Sequence, residues 1–443
     1  MTAETGPSPT PRFRPRDLVE FRGYRQAGAA WVLYGTAIGA VFFISSPLLS
    51  AMLPDVRWSL GVVSTALLIR GLLGIVSNPL TGMLITRFGI RPIVVIGGVF
   101  TAGFTALTGT VSSPWEFGVV FGVALTLADS FMGLIPATTI VHRWFMTRRG
   151  VIMGFVNSGA GFGGLLFAPL MAVLVADFGW RHALYVLAVI ILVLALPSLF
   201  LRDRPADVGQ WVDGVEGRVI PEYGEVDAIG TKQVRIGQMA RRPLYWMVFF
   251  IFGVEAWSLA VYASDQGLFL KSVGVGSLAS SGALGFSAGV AAVAGILLSR
   301  LNDKFSPYYV IIGSVVAMLI GSVLFLSARS GVQLWAYSFF FGAGYGTLVP
   351  AMPVALSRYF GARNFAGAFG LGQILVSLMA GVGPWLTGVV SDSTGSFTVP
   401  IYLITGLLVL ALIVAIAARP RARAALAANA PAGPITATSG PQD

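Results

Sequence analysis

Twelve stretches of about 20 apolar residues dominate the sequence, and each is long enough to cross the hydrocarbon core of a bilayer. Backbone inside hydrocarbon must satisfy its own hydrogen bonds, so only helices and closed barrels can span it. The alternating polarity of barrel strands is absent. The sequence therefore predicts an all-α, polytopic membrane protein. Its spans run approximately over 28–52, 59–83, 92–112, 115–140, 150–175, 182–201, 244–264, 276–299, 308–328, 332–356, 364–390 and 398–418.

The basic residues sort by side of the membrane. An even number of spans places both termini on the same side, and most of the 29 Lys and Arg residues then fall on that side with them. The exceptions are Arg57, Arg181, Lys271 and Arg329 on the other side, with Arg70 inside a span. The positive-inside rule thus predicts an inner-membrane protein with both termini in the cytoplasm. The net charge of +10 reflects this topology, and we expect no nucleic-acid partner.

The chain divides into five segments by composition. Residues 1–27 and 419–443 are polar or low in complexity, lack the pattern of a cleavable signal peptide, and are predicted to be disordered cytoplasmic tails. The longest loop, 203–242, is rich in charge and is predicted to be a cytoplasmic linker. It separates two halves of six spans each, 28–202 and 243–418.

The two halves repeat each other. A shift of 215 residues superposes Arg143, Phe145, Arg148, Pro169 and Asp177 on residues of the same type in the second half, which are Arg358, Phe360, Arg363, Pro384 and Asp392. Two parallel six-helix halves place a substrate site near the bilayer midplane between them, and alternating access follows from rocking one half against the other.

Two short loops carry a known motif. GMLITRFGIRP, which begins at Gly82, resembles the loop pattern G-x-L-x-D-R-x-G-R-[RK] of the major facilitator superfamily. Thr86 stands where the family has aspartate, which the family uses to latch the halves on the cytoplasmic side. The resemblance assigns a set of residues to conformational-switch loops: Arg87, Gly89, Arg91, Asp303, Lys304, Arg148 and Arg363.

A second motif indicates a particular group within the superfamily. WFMTRRGVIMGFVNSGAGFG at 144–163 is similar to the fifth-helix signature of the monocarboxylate porters and oxalate/formate antiporters, and implies the twelve-helix facilitator fold. Within it, Gly154, Gly159 and Gly163 are expected to let a neighbouring helix approach closely. Relatives often hold the substrate carboxylate with an eighth-helix arginine, but here no charged residue lies between Lys271 and Arg300. Carboxylate specificity therefore does not follow from the motif.

Three ionisable residues, Arg70, Asp129 and Glu255, lie near the centres of their spans. Each would cost roughly 2.5–3.5 kcal/mol facing lipid, so they must face protein or water. One interpretation is a structural ion pair between Arg70 and one acid. The other makes Arg70 the docking charge for a substrate carboxylate, with Glu255 or Asp129 taking the coupling proton. Polar and aromatic residues predicted to line the cavity are Trp31, Tyr34, Asn157, Trp257, Tyr262, Tyr345 and Gln373.

No chemistry-bearing motif suggests an enzyme. The chain has no cysteine, and His142 and His182 stand alone, so we expect no metal and no cofactor. The favoured function is a monomeric secondary transporter that moves a small organic solute, a monocarboxylate or related anion, together with protons. Two alternatives remain open: a proton-driven exporter of lipophilic or cationic compounds, and a membrane receptor that does not transport.

Overall fold

The computed structural model describes residues 21–216, 239–298, 305–328, 331–360 and 365–428. All regular structure in these ranges is helical, which confirms the predicted all-α class. Eleven stretches within them are long and apolar enough to cross a membrane. We number the membrane helices α1 Gly23–Val56, α2 Leu60–Phe88, α3 Ile90–Thr108, α4 Pro114–Trp144, α5 149–178, α6 180–200, α7 Pro243–Ser272, α8 Ser277–Leu298, α9 Pro307–Leu326, α10 Gly331–Phe360, α11 Phe365–Thr394 and α12 Thr398–Ala428.

Helices α5 and α6 form one of the eleven stretches, Arg149–Phe200. At 1.5 Å per residue its 52 residues would extend for about 78 Å, more than twice a hydrocarbon core of about 30 Å. The chain turns at Gly179, whose φ of 73° and ψ of 161° are not helical. Trp180 beside this turn donates a hydrogen bond to Asp55 at the end of α1, whereas Phe200 accepts one from Gln26 at its start. The stretch therefore consists of two antiparallel membrane helices, which together run to the opposite end of α1 and back.

These contacts define two faces of the molecule. The basic face holds Arg22, Arg143, Arg202 and Arg242, near the ends of α1, α4, α6 and α7. The opposite face holds Asp55, Trp180, Lys271 and Asp392. Large apolar side chains such as Phe100, Val189 and Ile413 are exposed on the outer helices, as lipid contact requires.

Each half has its own apolar core. One cluster fills the second half around Phe252, Phe325 and Phe341. In the first half, two clusters lie toward the two faces, around Phe121 and around Trp144. Because these cores are separate, each half can move as a unit without unpacking its interior.

Two helices of the first half are irregular near their centres. Ile38–Phe43 in α1 and Gly118–Ala124 in α4 are π-helical, and α4 is interrupted again at residues 131–133. Single π-helical turns inside helices occur frequently at functional sites. The irregular part of α4 contains Phe121 and is followed by Asp129.

The helices extend past several predicted boundaries. α1 begins at Gly23, inside the predicted tail 1–27, and α12 continues to Ala428, inside the predicted tail 419–443. The first part of the predicted linker, residues 203–216, packs on the basic face of the first half. There Asp213 accepts hydrogen bonds from the backbone of Met146 and Thr147.

Candidate functional site

Arg70 and Asp129 form an ion pair between α2 and α4. Nη2 of Arg70 donates to Oδ2 of Asp129 at 3.1 Å, and the side chains are 13% and 16% exposed. The guanidinium carbon lies 4.9 Å from the ring centroid of Phe121, in the π-helical part of α4. Nη1 of Arg70 is buried with no partner among the described residues. Asp129 and Phe121 thus hold the Arg70 guanidinium on one side, whereas its Nη1 group remains an unused cationic donor.

Of the two acids, Asp129 and Glu255, the second is unpaired in the part of the chain that the structure describes. It lies on α7 in the other half, is 6% exposed, and has no hydrogen-bond partner among the described residues. The Tyr345 hydroxyl on α10 lies within electrostatic range of its carboxylate. Arg70 therefore pairs with Asp129 and leaves Glu255 as the spare carboxyl.

An apolar plug closes the space between the halves on the opposite-face side of Glu255. We define the plug as Phe43 and Ala168 from the first half with Ala263, Leu284 and Ala288 from the second. Leu259 packs against it, one helical turn from Glu255. Glu255 therefore lies directly on the basic-face side of the plug.

Close helix contacts join the halves in the middle of the membrane helices. A Cβ atom at Gly161 on α5 would lie 2.4 Å from the Ala288 carbonyl oxygen on α8. One at Gly381 on α11 would lie 3.2 Å from the Gly71 Cα on α2. Gly154 lies on the same side of α5 as Gly161, and Gly370 lies on the same side of α11 as Gly381, but both are nearer the basic face. A Cβ atom at either position would have no described atom within 4 Å. The halves thus lie further apart toward the basic face and leave a cleft there.

Four hydrogen bonds join the halves at the opposite face. Asp392 at the end of α11 accepts from the backbone N–H groups of Leu60 at 3.1 Å and Gly61 at 2.7 Å, at the start of α2. The Gly267 N–H on α7 donates to Ser46 Oγ at 2.8 Å, and Lys271 donates to the Ser50 carbonyl at 3.4 Å. The structure is therefore closed at this face.

The predicted cavity-lining residues differ in their burial and in their contacts. Asn157 is exposed on α5, beside the open part of the cleft, and Tyr34 and Gln373 are partly buried. Trp31 donates to Ser158 Oγ at 3.1 Å and so ties α1 to α5. The others lie inside the second half: Trp257 packs on Gly383, Tyr262 donates to Ser322, and Tyr345 lies against Phe341.

Two of the three glycines of the fifth-helix signature pack against another helix, and the third does not. Gly159 and Gly163 lie against the backbone carbonyl oxygens of Trp31 and Gly35 on α1, as the close-packing prediction requires. The prediction is wrong for Gly154, which has open space beside it because it faces the cleft.

The switch loops are described in part. Arg87 and Arg91 are exposed, and Arg148 donates to the Tyr24 hydroxyl at 2.6 Å. Gly89 has a φ of 87°, and Asp203 at the end of α6 accepts from the adjacent Ile90 N–H and pairs with Arg143. Asp303, Lys304 and Arg363 lie outside the described residues.

Sequence reasoning missed two acids. Asp265 fell just beyond the predicted seventh span, 244–264, but α7 continues to Ser272 and buries it at 4% exposure. Extending the apolar stretch to Lys271 would have included it. Asp392 was noted only as a repeat position, and nothing in its sequence neighbourhood indicates its contact with a helix 331 residues away.

Two six-helix halves that carry buried charges near their centres and are joined by hydrogen bonds at one face are typical of a multi-pass membrane transporter. The chain belongs to the Major Facilitator Superfamily, whose family profile matches residues 31–300 and 256–441. This confirms the resemblance found in the loop motifs.

The curated proteins that the chain resembles in sequence include several transporters. The human protein monocarboxylate transporter 11 is 28% identical over 352 residues, covering 75% of this chain and 69% of the human one. A probable sulfoacetate transporter, SauU of Cupriavidus necator, is 26% identical and covers 74% of this chain and 78% of its own length. The uncharacterized MFS-type transporter YhjX of Escherichia coli is 24% identical, with coverage of 77% and 78%.

Solved structures share the fold at low identity. A bacterial homologue of the human lysosomal transporter Spinster, in an inward-facing, unoccupied conformation, matches with a TM-score of 0.68 at 15% identity and covers 94% of this chain and 98% of its own. The nucleoside transporter NupG matches with a TM-score of 0.69 at 13% identity, with coverage of 89% and 99%.

Proposed function

We propose that this protein is a proton-coupled secondary transporter of a small organic anion, a monocarboxylate or a related acid. The observation that carries the proposal is the Arg70–Asp129 pair, in which the guanidinium keeps one buried nitrogen without a partner. An unpaired buried donor is costly, and a carboxylate is the ligand that guanidinium geometry matches best. The names of the monocarboxylate and sulfoacetate relatives agree with an anionic substrate.

The spare carboxyl of Glu255 supplies the coupling group. A lone carboxylate is expensive to bury as an ion, so its charge state responds to what else enters the cleft. A substrate anion bound at Arg70 places a negative charge in the same cleft and favours a proton on Glu255. Substrate and proton then load together, and neither crosses alone.

The cleft and the closed face fit alternating access. We place the protein in an inner (cytoplasmic) membrane and assign the basic face to the cytoplasm, following the positive-inside rule. The structure is then the inward-open state, and transport requires the contacts at the opposite face to break while the cleft closes. In this scheme the protein acts as a monomer and needs no cofactor.

Uptake by purified protein in proteoliposomes tests the proposal. Labelled lactate, pyruvate, acetate and sulfoacetate are offered with and without an inward proton gradient, in empty and in protein-containing vesicles. We expect gradient-driven accumulation of at least one acid. Failure of every acid, together with gradient-driven movement of a lipophilic cation, would support the exporter alternative instead.

A further inference from the structure

A small cavity lies inside the second half near the opposite face, away from the cleft. It is enclosed by α7, α9, α11 and α12, and its lining includes Tyr262, Asp265, Gln266, Phe325, Thr387 and Ile401. Asp265 is 4% exposed, and its carboxylate is the one acidic group among the described lining residues. The proposed transport cycle gives this carboxylate no role.

The hydrogen-bond donors nearest to Asp265 are directed elsewhere. The Ser264 hydroxyl donates to the Ala260 carbonyl at 2.9 Å, and Gln266 Nε2 donates to the Ser280 carbonyl at 2.8 Å. The Tyr262 hydroxyl donates to Ser322 Oγ at 3.2 Å. Oε1 of Gln266 is buried without a partner among the described residues. Both carboxylate oxygens of Asp265 are likewise buried without a hydrogen bond among the described residues, although the Ser264 hydroxyl lies near the carboxylate.

No described counter-charge faces the cavity. α8 and α9 contain no charged residue, and the arginines of α10 and α12 lie at the basic-face ends of those helices. Lys271 on α7 donates to Ser50 of the other half, while Asp392 on α11 accepts from α2. Two tyrosine hydroxyls lie nearby, that of Tyr262 in the lining and that of Tyr337 on α10, whose ring centroid lies 6.3 Å from that of Tyr262.

A buried carboxylate with neither a donor nor a counter-charge costs several kcal/mol as an ion. We propose that Asp265 is a second proton-binding site, separate from the cleft, and that its occupancy holds the opposite face closed. A proton supplies the missing donor and removes the charge in one step. The narrow cavity and its single carboxylate do not offer the six or so oxygens typical of a hydrated metal ion.

The position of Asp265 explains how its proton would act on the conformation. Gly267, two residues further along α7, contacts the other half, because its N–H donates to Ser46 Oγ. Loss of the proton leaves a buried anion that needs water, and a shift of this end of α7 that admits water to the cavity would disturb the Gly267 contact with α1. Deprotonation is therefore expected to open the opposite face. This role rests on the proposed alternating-access cycle.

Infrared difference spectroscopy in lipid nanodiscs tests the site without any transport substrate. A pH jump in wild type should change the carbonyl stretch of protonated carboxyl groups, and Asp265→Asn should remove one such band. Glu255→Gln serves as the control, since it should remove a different band and leave that of Asp265. Asp265→Glu keeps a carboxyl and should shift the band rather than abolish it. It also provides the test if the asparagine variant does not fold.

A distance measurement tests the conformational role. Because the chain has no cysteine, spin labels can be placed on Thr110→Cys and Gly276→Cys, one in each half at the opposite face. We expect the distance between the labels to increase at alkaline pH in wild type and to be independent of pH in Asp265→Asn. An unchanged carboxyl band in Asp265→Asn would overturn the site, as would a response to sodium at fixed pH. Failed carboxylate uptake would overturn only the proposed substrate.

Discussion

Asp392 helps to hold the two halves together at the opposite face, and replacing it by asparagine should favour the state in which this face is open. Its two carboxylate oxygens accept from the first two N–H groups of α2, at 3.1 and 2.7 Å. The first N–H groups of a helix have no partner within the helix, and they carry the positive end of its dipole. Asparagine keeps the shape and one acceptor oxygen but loses the charge and the second acceptor.

The size of the effect follows from these losses. One hydrogen bond to a charged group contributes about 1.5–3 kcal/mol when buried, and an exposed group such as Asp392 falls below that range. About 1 kcal/mol for the bond and about 0.5 kcal/mol for the charge at the helix start give about 1.5 kcal/mol. Because 1.4 kcal/mol corresponds to a factor of ten, the ratio of closed to open molecules should fall roughly tenfold.

The repeat provides a matched control. Asp177 occupies the position equivalent to Asp392 at the end of α5, but it is exposed and has no hydrogen-bond partner among the described residues. Asp177→Asn should therefore leave the equilibrium unchanged. The assay is electron spin resonance distance measurement between labels at Thr110→Cys and Gly276→Cys, at one pH. The reasoning is refuted if Asp392→Asn leaves the distance distribution as in wild type, or if both variants shift it equally.

Glu255→Gln should abolish accumulation of substrate driven by a proton gradient and spare exchange of labelled for unlabelled substrate; undiminished accumulation in proteoliposomes would remove Glu255 from the coupling step. Arg70→Ala should lower substrate affinity at least tenfold in a thermal-shift titration, because an anion loses its charged anchor. A folded variant that binds normally would leave Arg70 a structural role only. Gly71→Ala should weaken closure of the opposite face, since its Cβ would lie 2.5 Å from the Gly381 Cα. Gly74→Ala on the same helix has no described atom within 4 Å of its Cβ, and a spin-label distance that responds equally to both variants would contradict the packing argument.

Arg70, Asp129 and Glu255 were identified from the sequence because a charge in the middle of an apolar span is conspicuous and costly. The sequence could not say which acid Arg70 would contact. That choice depends on the rotation of α2 against α4, and the two residues are 59 positions apart. The rotation of α7 likewise turns Tyr262 into the second half, where it donates to Ser322. Helix faces are set by packing against several neighbours at once, which a one-dimensional pattern does not contain.

The boundary of α7 shows a second limit. Hydropathy falls near Asp265, so a span defined by apolar residues ends before it, yet the helix continues for seven more residues to Ser272. Neighbouring helices enclose the end of α7 and keep Asp265 buried although its own sequence is polar there. The predicted boundary therefore hid a buried carboxylate.

The sequence by itself determined the class of the protein, the order of its spans, its two-fold repeat and the residues that lipid cannot accept. These follow from a local requirement, since each crossing needs about 20 apolar residues whatever surrounds it. Only the tertiary structure decided that the opposite face is closed, that Asp392 binds the start of α2 and that the Asp265 carboxylate makes no hydrogen bond among the described residues. Each of these depends on contacts between helices far apart in the chain, where distances of a few ångströms decide whether a polar group is satisfied.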